Sequence, residues 1–479
     1  MFAVEPWCIR EVSLDLDVLP QTESVFALSN GHLGLRGNLE EGEPQGLPGT
    51  YLNSVYALRP LPYVEPGYGY PESGQTVINV TNGKLIRLLV DDEPFDVRYG
   101  TLRAHERILD LRAGTLTRRA EWVSPAGKAI RVSSIRLVSF THRAIAAISY
   151  AVEPVDASTR VVVQSELVAN EPMPGAMLSR DPRQAALLEA PLHSVDHGSS
   201  GLTVEMVHST SGSELMVASA MDHLVDGPQG TGVACESSPD LGRVTVTARL
   251  EPGECLRVVK FLGYGWSSRR SSRALRDQVA AALAGANQVG WAGLLAEQRA
   301  YLDEFWERAD VEVDGDPEVQ QAVRFGLFHV LQAGARGEDR AIPAKGLTGP
   351  GYDGHTFWDS ETFVLQLLTC VLPSAAASAL RWRHSTLTLA RERASQLGLH
   401  GAAFPWRTID GRESSGYWPA STAAFHINAD IAHAAARYVS ATADEAFERN
   451  SDSSSWSKQH GCGARSATTT SRVGSTSTG

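Results

Sequence analysis

The chain of 479 residues has few cysteines, no basic surplus and no long apolar run. Its five cysteines, Cys8, Cys235, Cys255, Cys370 and Cys462, are odd in number and scattered, with no C-x-x-C pair. That pattern excludes a disulfide frame and a thiolate zinc site, and it reads as reduced thiols. Lys and Arg number 43 against 55 Asp and Glu, for a formal net charge of -12. Such a chain has no positive excess to drive counterion release, so neither nucleic acid nor an anionic membrane is an expected partner. No stretch of apolar residues has the length of a membrane span. The segment Met1–Asp17 carries Glu5, Glu11 and Asp15 where a secretory signal needs a basic and then an apolar stretch. A cytoplasmic address is the expectation.

What is present changes character along the chain. From about Arg103 to Trp266 the sequence is a series of short alternating or β-branched runs separated by Gly, Pro, Asn and Asp. Ala129–Ser139, Ala144–Val155, Arg160–Val163 and Gly242–Leu250 are examples, and their spacing predicts antiparallel sheets. Upstream, Gln75–Val80 and Lys84–Leu89 flank Asn82-Gly83, a hairpin signal. After Gly265 the period becomes helical: Leu275, Val279 and Leu283 are spaced by four. A further helix is predicted from the Asp316-Pro317 start signal, with an apolar face of Val319, Val323, Leu327, Val330 and Leu331. Helices are also expected at Asp359–Leu372, Pro373–Leu397 and Ile427–Thr442, with Gly398 as a C-terminal cap. A β half followed by an α half predicts separate domains and not an alternating α/β fold. The boundaries are 1–265 for the sheets, 266–310 for a helical linker and 311–449 for the helical domain.

The last stretch, 450–479, follows neither pattern. Between Ser451 and Gly479, 18 of 29 residues are Ser, Thr or Gly, and the local charge is positive. Read one base earlier, the codons of Trp456 and Ser457 begin Leu-Val. The tail is therefore read as out-of-frame translation from near Arg449–Asn450, with a disordered natural tail as the alternative. The nucleotide sequence decides between them.

Residues suited to chemistry concentrate between Ala344 and Asp430. Gly351–Glu361 packs aromatic side chains, His355 and the acids Asp353, Asp359 and Glu361 into eleven residues. Phe404-Pro405-Trp406, Glu413, Tyr417, Trp418 and the His426, Asn428, Asp430 spacing follow. Aromatic rings beside carboxylates suit a sugar: the rings stack on pyranose C–H faces while the acids accept hydrogen bonds from vicinal hydroxyls. Glycoside cleavage also needs carboxyl groups at the bond being cut. Each residue has a plainer reading. Trp358 and Trp406 could be core packing, Asp359 a helix cap, and His355 and His426 ordinary half-buried histidines. The His426/Asn428/Asp430 spacing lacks a third His or Cys, so no metal is expected, and Lys345 reads as a surface lysine.

Taken together and in order, Glu23–Asn38, Gly49–Asn53, Ile342–Leu347, Gly354–Glu361, Phe404–Trp406 and the His426/Asp430 helix carry a resemblance. From near residue 5 to about 449 the chain resembles glycoside hydrolase family 65, the maltose, trehalose and kojibiose phosphorylases and acid trehalases. The resemblance implies a multidomain fold: an N-terminal β-supersandwich, a helical linker and, in this chain, an incomplete (α/α)6 barrel. It implies an inverting reaction on α-glucoside disaccharides, with no cofactor and with inorganic phosphate as co-substrate in a phosphorylase. A homodimer is compatible with it. Trp358 and Asp359 match the pair that holds the non-reducing-end glucose, while His355, Trp406 and Glu413 match the same pocket or its rim less specifically. Ser29-Asn30-Gly31 is expected to be a structural turn. The family's acid glutamate lies in a Gly-Pro-Asp-Glu-like motif beyond the His426 helix, with phosphate-binding Ser/Gly loops further on. Neither occurs in this sequence. No catalytic residue is therefore assigned, Asp444-Glu445 is not promoted to that role, and the chain is expected to be inactive. The alternatives are an acid trehalase-like hydrolase and a non-catalytic carbohydrate-binding or regulatory protein.

Overall fold

The computed structural model describes residues 2–61, 63, 65, 67–172, 190–416 and 420–450. The stretch 451–479, with its frame-shift expectation, lies outside them, as do Tyr417 and Trp418.

Alternation in the first half produces two facing antiparallel sheets. The larger has ten strands, running from Ala3–Glu5 at one edge through Ala129–Val138, Ile145–Pro154 and Leu256–Ser267 to Leu192–Ser200 at the other. The smaller has five, with Thr159–Val168 at its centre. Their facing sides interdigitate: Val132, Ile148, Val258 and Leu262 of the large sheet share one core with Val161, Val163, Val244 and Val246 of the small one. Ile145–Pro154 is buried almost throughout, because its other face is covered too. There Ala147, Val259 and Phe261 meet Leu275, Val279, Leu283 and Leu294 of the Ser272–Ala309 helix. The segment expected to be only a linker is therefore a third layer on the sandwich. By length and composition alone it is apolar enough to cross a membrane, but it contains no unbroken apolar run of that length and its apolar side packs on the sheet. Ser271 caps its start, and Gly290, with φ 72°, kinks it.

The hairpin expected at Asn82-Gly83 does not form. Ser73–Val77 pairs with Tyr56–Pro60, whereas Ile86–Val90 pairs with Thr159–Val168 in a different sheet. Asn82 bridges to Val168, and its side-chain oxygen accepts hydrogen bonds from the Lys84 backbone N–H (3.0 Å) and Nζ (3.0 Å). The turn signal was local, and the partner strand lay some eighty residues downstream.

The Pro317–Gly334 helix starts where expected, with Asp316 accepting from the N–H groups of Glu318 and Val319. Its buried face keeps Leu327 and Leu331 of the expected apolar one but is not confined to it. Val319 is exposed, while Gln321 and Gln332 are buried because they hold the two halves together. Gln321 donates to the carbonyls of Ala3, Glu5 and Cys8 at 2.8–3.1 Å, and the Gln332 side chain accepts from Ser29 N–H at 2.7 Å. Asn30 completes this seam, bonding the carbonyls of Ser139 and Arg143 while its own oxygen accepts from His32 and Leu33. Beyond it, Leu365–Val371, Pro373–Ser385 and His426–Thr442 pack around Leu368, Ala376, Leu380, Ala434 and Tyr438. The single helix expected at Pro373–Leu397 is broken at Thr386, whose hydroxyl bonds back to the Arg383 carbonyl at 2.8 Å. Its continuation, Leu387–Gln396, ends at Gly398 with φ 62°, as a C-terminal cap requires.

Candidate functional site

The chemistry-bearing segments meet at the start of two helices. Tyr352, Asp353 and Gly354 all have left-handed backbone, with φ of 56°, 55° and 74°. For the two non-glycine residues this costs on the order of 1–3 kcal/mol each. At Gly354 a side chain would clash as well: a Cβ there would sit 2.5 Å from Val77 Cβ. The chain then forms a two-residue bridge, Thr356 with Thr408, which ties the first motif to the second. Directly after Asp359 it enters a π-helical turn, Ser360–Val364, a geometry that recurs at functional sites.

This arrangement brings Trp358, Trp406 and His426 together. The ring centroids of Trp358 and His426 are 5.2 Å apart, and those of Trp406 and His426 are 5.9 Å apart, both edge to face. Both tryptophans pack against the cluster of Leu387, Phe404, Ile427 and Ile431 and are only partly buried. The core reading of these rings thus holds for part of each side chain. Asp359 is exposed, and its side chain makes no capping hydrogen bond to the turn that follows, so the cap reading of Asp359 fails. The three residues of the His426/Asn428/Asp430 spacing do different jobs. His426 Nδ1 lies 2.7 Å from Asp430. Asn428 clamps the preceding loop, donating to the Ala402 carbonyl at 2.6 Å and accepting from Phe404 N–H at 3.1 Å.

His355 and Glu413 are not open to a ligand in the same way. His355 is fully buried with Nε2 at 2.7 Å from the Gln75 carbonyl, which can only accept, so Nε2 carries the proton. Burial first, then the nearby Arg407 guanidinium, lowers its pKa to about 3 and keeps it neutral. The Glu413 carboxylate accepts from the N–H groups of Trp406 (2.7 Å), Ser414 (3.0 Å) and Ser415 (2.8 Å). Burial raises its pKa against the pull of those N–H groups. Both residues hold up the motif loops: His355 docks the first on the β half, and Glu413 fixes the backbone of Trp406. Lys345 is exposed, with Nζ 5.6 Å from the Tyr352 ring centre.

One residue that sequence reasoning missed organises the whole seam. Gln75, on the strand Ser73–Val77, accepts the His355 Nε2–H hydrogen bond through its carbonyl and donates to Asp410 at 2.8 Å. Its side-chain oxygen accepts from Ile409 N–H at 2.6 Å and Asp410 N–H at 3.1 Å. A lone Gln inside a β pattern carries no sequence signal. Beside it lies a cavity of about 570 Å³, bounded by the Tyr70–Gln75 segment, the Leu387–Gln396 helix and the 403–413 loop.

Comparison with known proteins places this site in context. Residues 9–305 match the N-terminal domain of glycosyl hydrolase family 65, and residues 324–453 match that family's central catalytic domain. An uncharacterized glycosyl hydrolase of Mycobacterium tuberculosis is 64% identical over 447 residues, covering 93% of this chain and 57% of the relative. The α,α-trehalose phosphorylase of Thermoanaerobacter brockii is 36% identical, covering 93% and 58%. Among solved structures, a putative kojibiose phosphorylase from the human microbiome superposes with a TM-score of 0.85 at 24% identity, over 94% of this chain and 58% of that one. It shares the fold, sheets first and helices after. The chain thus spans a little over half the length of these relatives. On these matches, the chain belongs to glycosyl hydrolase family 65.

Proposed function

We propose that Trp358 and Asp359 hold the terminal glucose of an α-glucoside disaccharide, and that the protein is an inverting glycoside phosphorylase. The observation that carries this is the pairing of a half-open Trp358 ring with the exposed Asp359 carboxylate, next to Trp406 and His426. A pyranose laid on such a ring offers its C–H face to the indole and vicinal hydroxyls to the carboxylate. Maltose, trehalose and kojibiose phosphorylases among the relatives support the substrate class. In this reading a glutamic acid protonates the glycosidic oxygen, while inorganic phosphate attacks the anomeric carbon from the opposite face and gives β-glucose 1-phosphate. The helices described here form part of an (α/α)6 barrel, the reaction is cytoplasmic and it needs no metal or cofactor.

The mycobacterial relatives, named as glycosyl hydrolases, favour a second reading, in which a carboxylate activates water in place of phosphate. Because no Gly-Pro-Asp-Glu run occurs in this sequence, we propose that the 479 residues alone bind sugar without cleaving it. The test is a product assay with maltose, trehalose and kojibiose, with and without phosphate. It uses this chain and a version extended to the relatives' full length. Phosphate-dependent release of β-glucose 1-phosphate by the extended version alone is expected. Phosphate-independent release of glucose would establish the hydrolase, and turnover by the 479-residue chain would refute its inactivity.

A further inference from the structure

The cavity behind the Trp406 loop is not accounted for by the Trp358 site. Its volume of about 570 Å³ falls within the range of small-molecule sites. Neither Trp358, Asp359, Trp406 nor His426 lines it, whereas Pro405, Asp410 and Glu413 do. Its wall is built from groups already satisfied. Asp410 accepts from Tyr56 Oη at 3.0 Å, Gln75 Nε2 at 2.8 Å and Arg412 Nη1 at 2.8 Å, and Glu413 is consumed by backbone N–H groups.

What remains for a ligand is of mixed polarity. Among the described residues, the carboxylates of Glu72 and Glu392 and the amide of Gln396 have no hydrogen-bond or ion-pair partner. Arg393 anchors to the carbonyls of Gly69 and Ser421, and its Nε is buried with no acceptor. Tyr70 and Pro405 add apolar surface. Four carboxylates against two guanidiniums disfavour a phosphate or other anion. A metal cation is disfavoured as well, since Asp410 and Glu413 are already engaged and Arg393 and Arg412 lie beside them. A ligand that both donates to Glu72 and Glu392 and accepts from the Gln396 amide, without charge of its own, is a polyhydroxylated neutral molecule.

We propose that this cavity is a second saccharide site, between the Tyr70–Gln75 segment and the Leu387–Gln396 helix, that binds a neutral sugar unit apart from Trp358 and Asp359. The reading does not depend on the phosphorylase assignment. The probe is maltose, titrated calorimetrically into the full chain. The variants are Glu72→Gln/Glu392→Gln, whose changes lie at exposed positions, and Trp358→Ala. Two binding events per wild-type chain are expected. The double variant should weaken one of them at least tenfold and leave the other, while Trp358→Ala should do the reverse. Maltose-dependent protection from hydrogen exchange over 389–396 and 403–413, retained in Trp358→Ala, supports the same conclusion without relying on the double variant. A double variant with unchanged stoichiometry and affinities, or no maltose-dependent protection in those segments, overturns the second site. A Trp358→Ala variant with unchanged binding overturns the Trp358 site instead.

Discussion

The two halves of the molecule use charge in opposite ways. In the sheet half, charged side chains are buried and paired: Arg107 with Glu11 at 2.7 Å, Arg118 with Glu41 at 2.7 Å, Arg136 with Glu40 at 2.7 Å. Burial opposes the charge on Glu40, but Arg136 and Arg118 outweigh it and hold its carboxyl below the ordinary range. Glu41 suffers the same burial with the Glu40 charge beside it, and it ends above that range despite Arg118. In the helical half one comparable pair is prominent, Arg383 with Glu361 at 2.6 Å. There the aromatic residues Tyr352, Phe363 and Phe425 are 55%, 61% and 48% exposed, and Asp359 faces solvent. Buried ion pairs thus knit the sheets together, whereas in the helical half His355 and Glu413 are buried and engaged while Asp359 stays exposed.

The largest effect that would break this contrast comes from Arg118→Ala. It leaves Glu40 and Glu41 buried without their shared guanidinium, and a loss of about 3–5 kcal/mol is expected in chemical denaturation. A change under about 1 kcal/mol would mean that the network is not needed. The pH response comes next. Burial lowers the pKa of His223 and of His355 to about 3, one in each half. Each is neutral in the folded state, while the unfolded chain takes up a proton below about 6.5. Stability is therefore full above about pH 6.5 and is lost as pH falls, by about 1.4 kcal/mol per pH unit for each histidine. Melting curves from pH 7 to pH 4.5 check this, and His355→Gln should reduce the slope. Gly354→Ala, which sets a Cβ against Val77, is expected to cost about 1–3 kcal/mol. Asn428→Ala removes two loop hydrogen bonds and is expected to cost about 1–2 kcal/mol.

The order of sheets and helices was legible in the sequence because period-two and helical patterning are local. So were the Asp316 cap, the Gly398 stop and the meeting of the two aromatic motifs, which the resemblance implied. What was not legible depended on distant partners. Asn82-Gly83 reads as a hairpin until Val168 captures Asn82. Gln321 and Gln332 carry no signal in the sequence, yet they bond the carbonyls of Ala3, Glu5 and Cys8 and the Ser29 N–H across the seam. His355 and Glu413 have the right residue types for a sugar pocket, but their hydrogen bonds go to the Gln75 carbonyl and to backbone N–H groups. Residue type pointed to the neighbourhood, and only the three-dimensional partner list separates a ligand contact from a support.

The smallest expected effect on stability belongs to Asp359→Asn, an exposed, uncapped position where about 0.5 kcal/mol or less is lost. That makes it the most direct test of the central proposal that Trp358 and Asp359 hold a sugar. Maltose titration of this variant should show one binding event weakened at least tenfold, the scale of a lost charged hydrogen bond, with an unchanged melting temperature. Unchanged maltose affinity at that event would contradict the account.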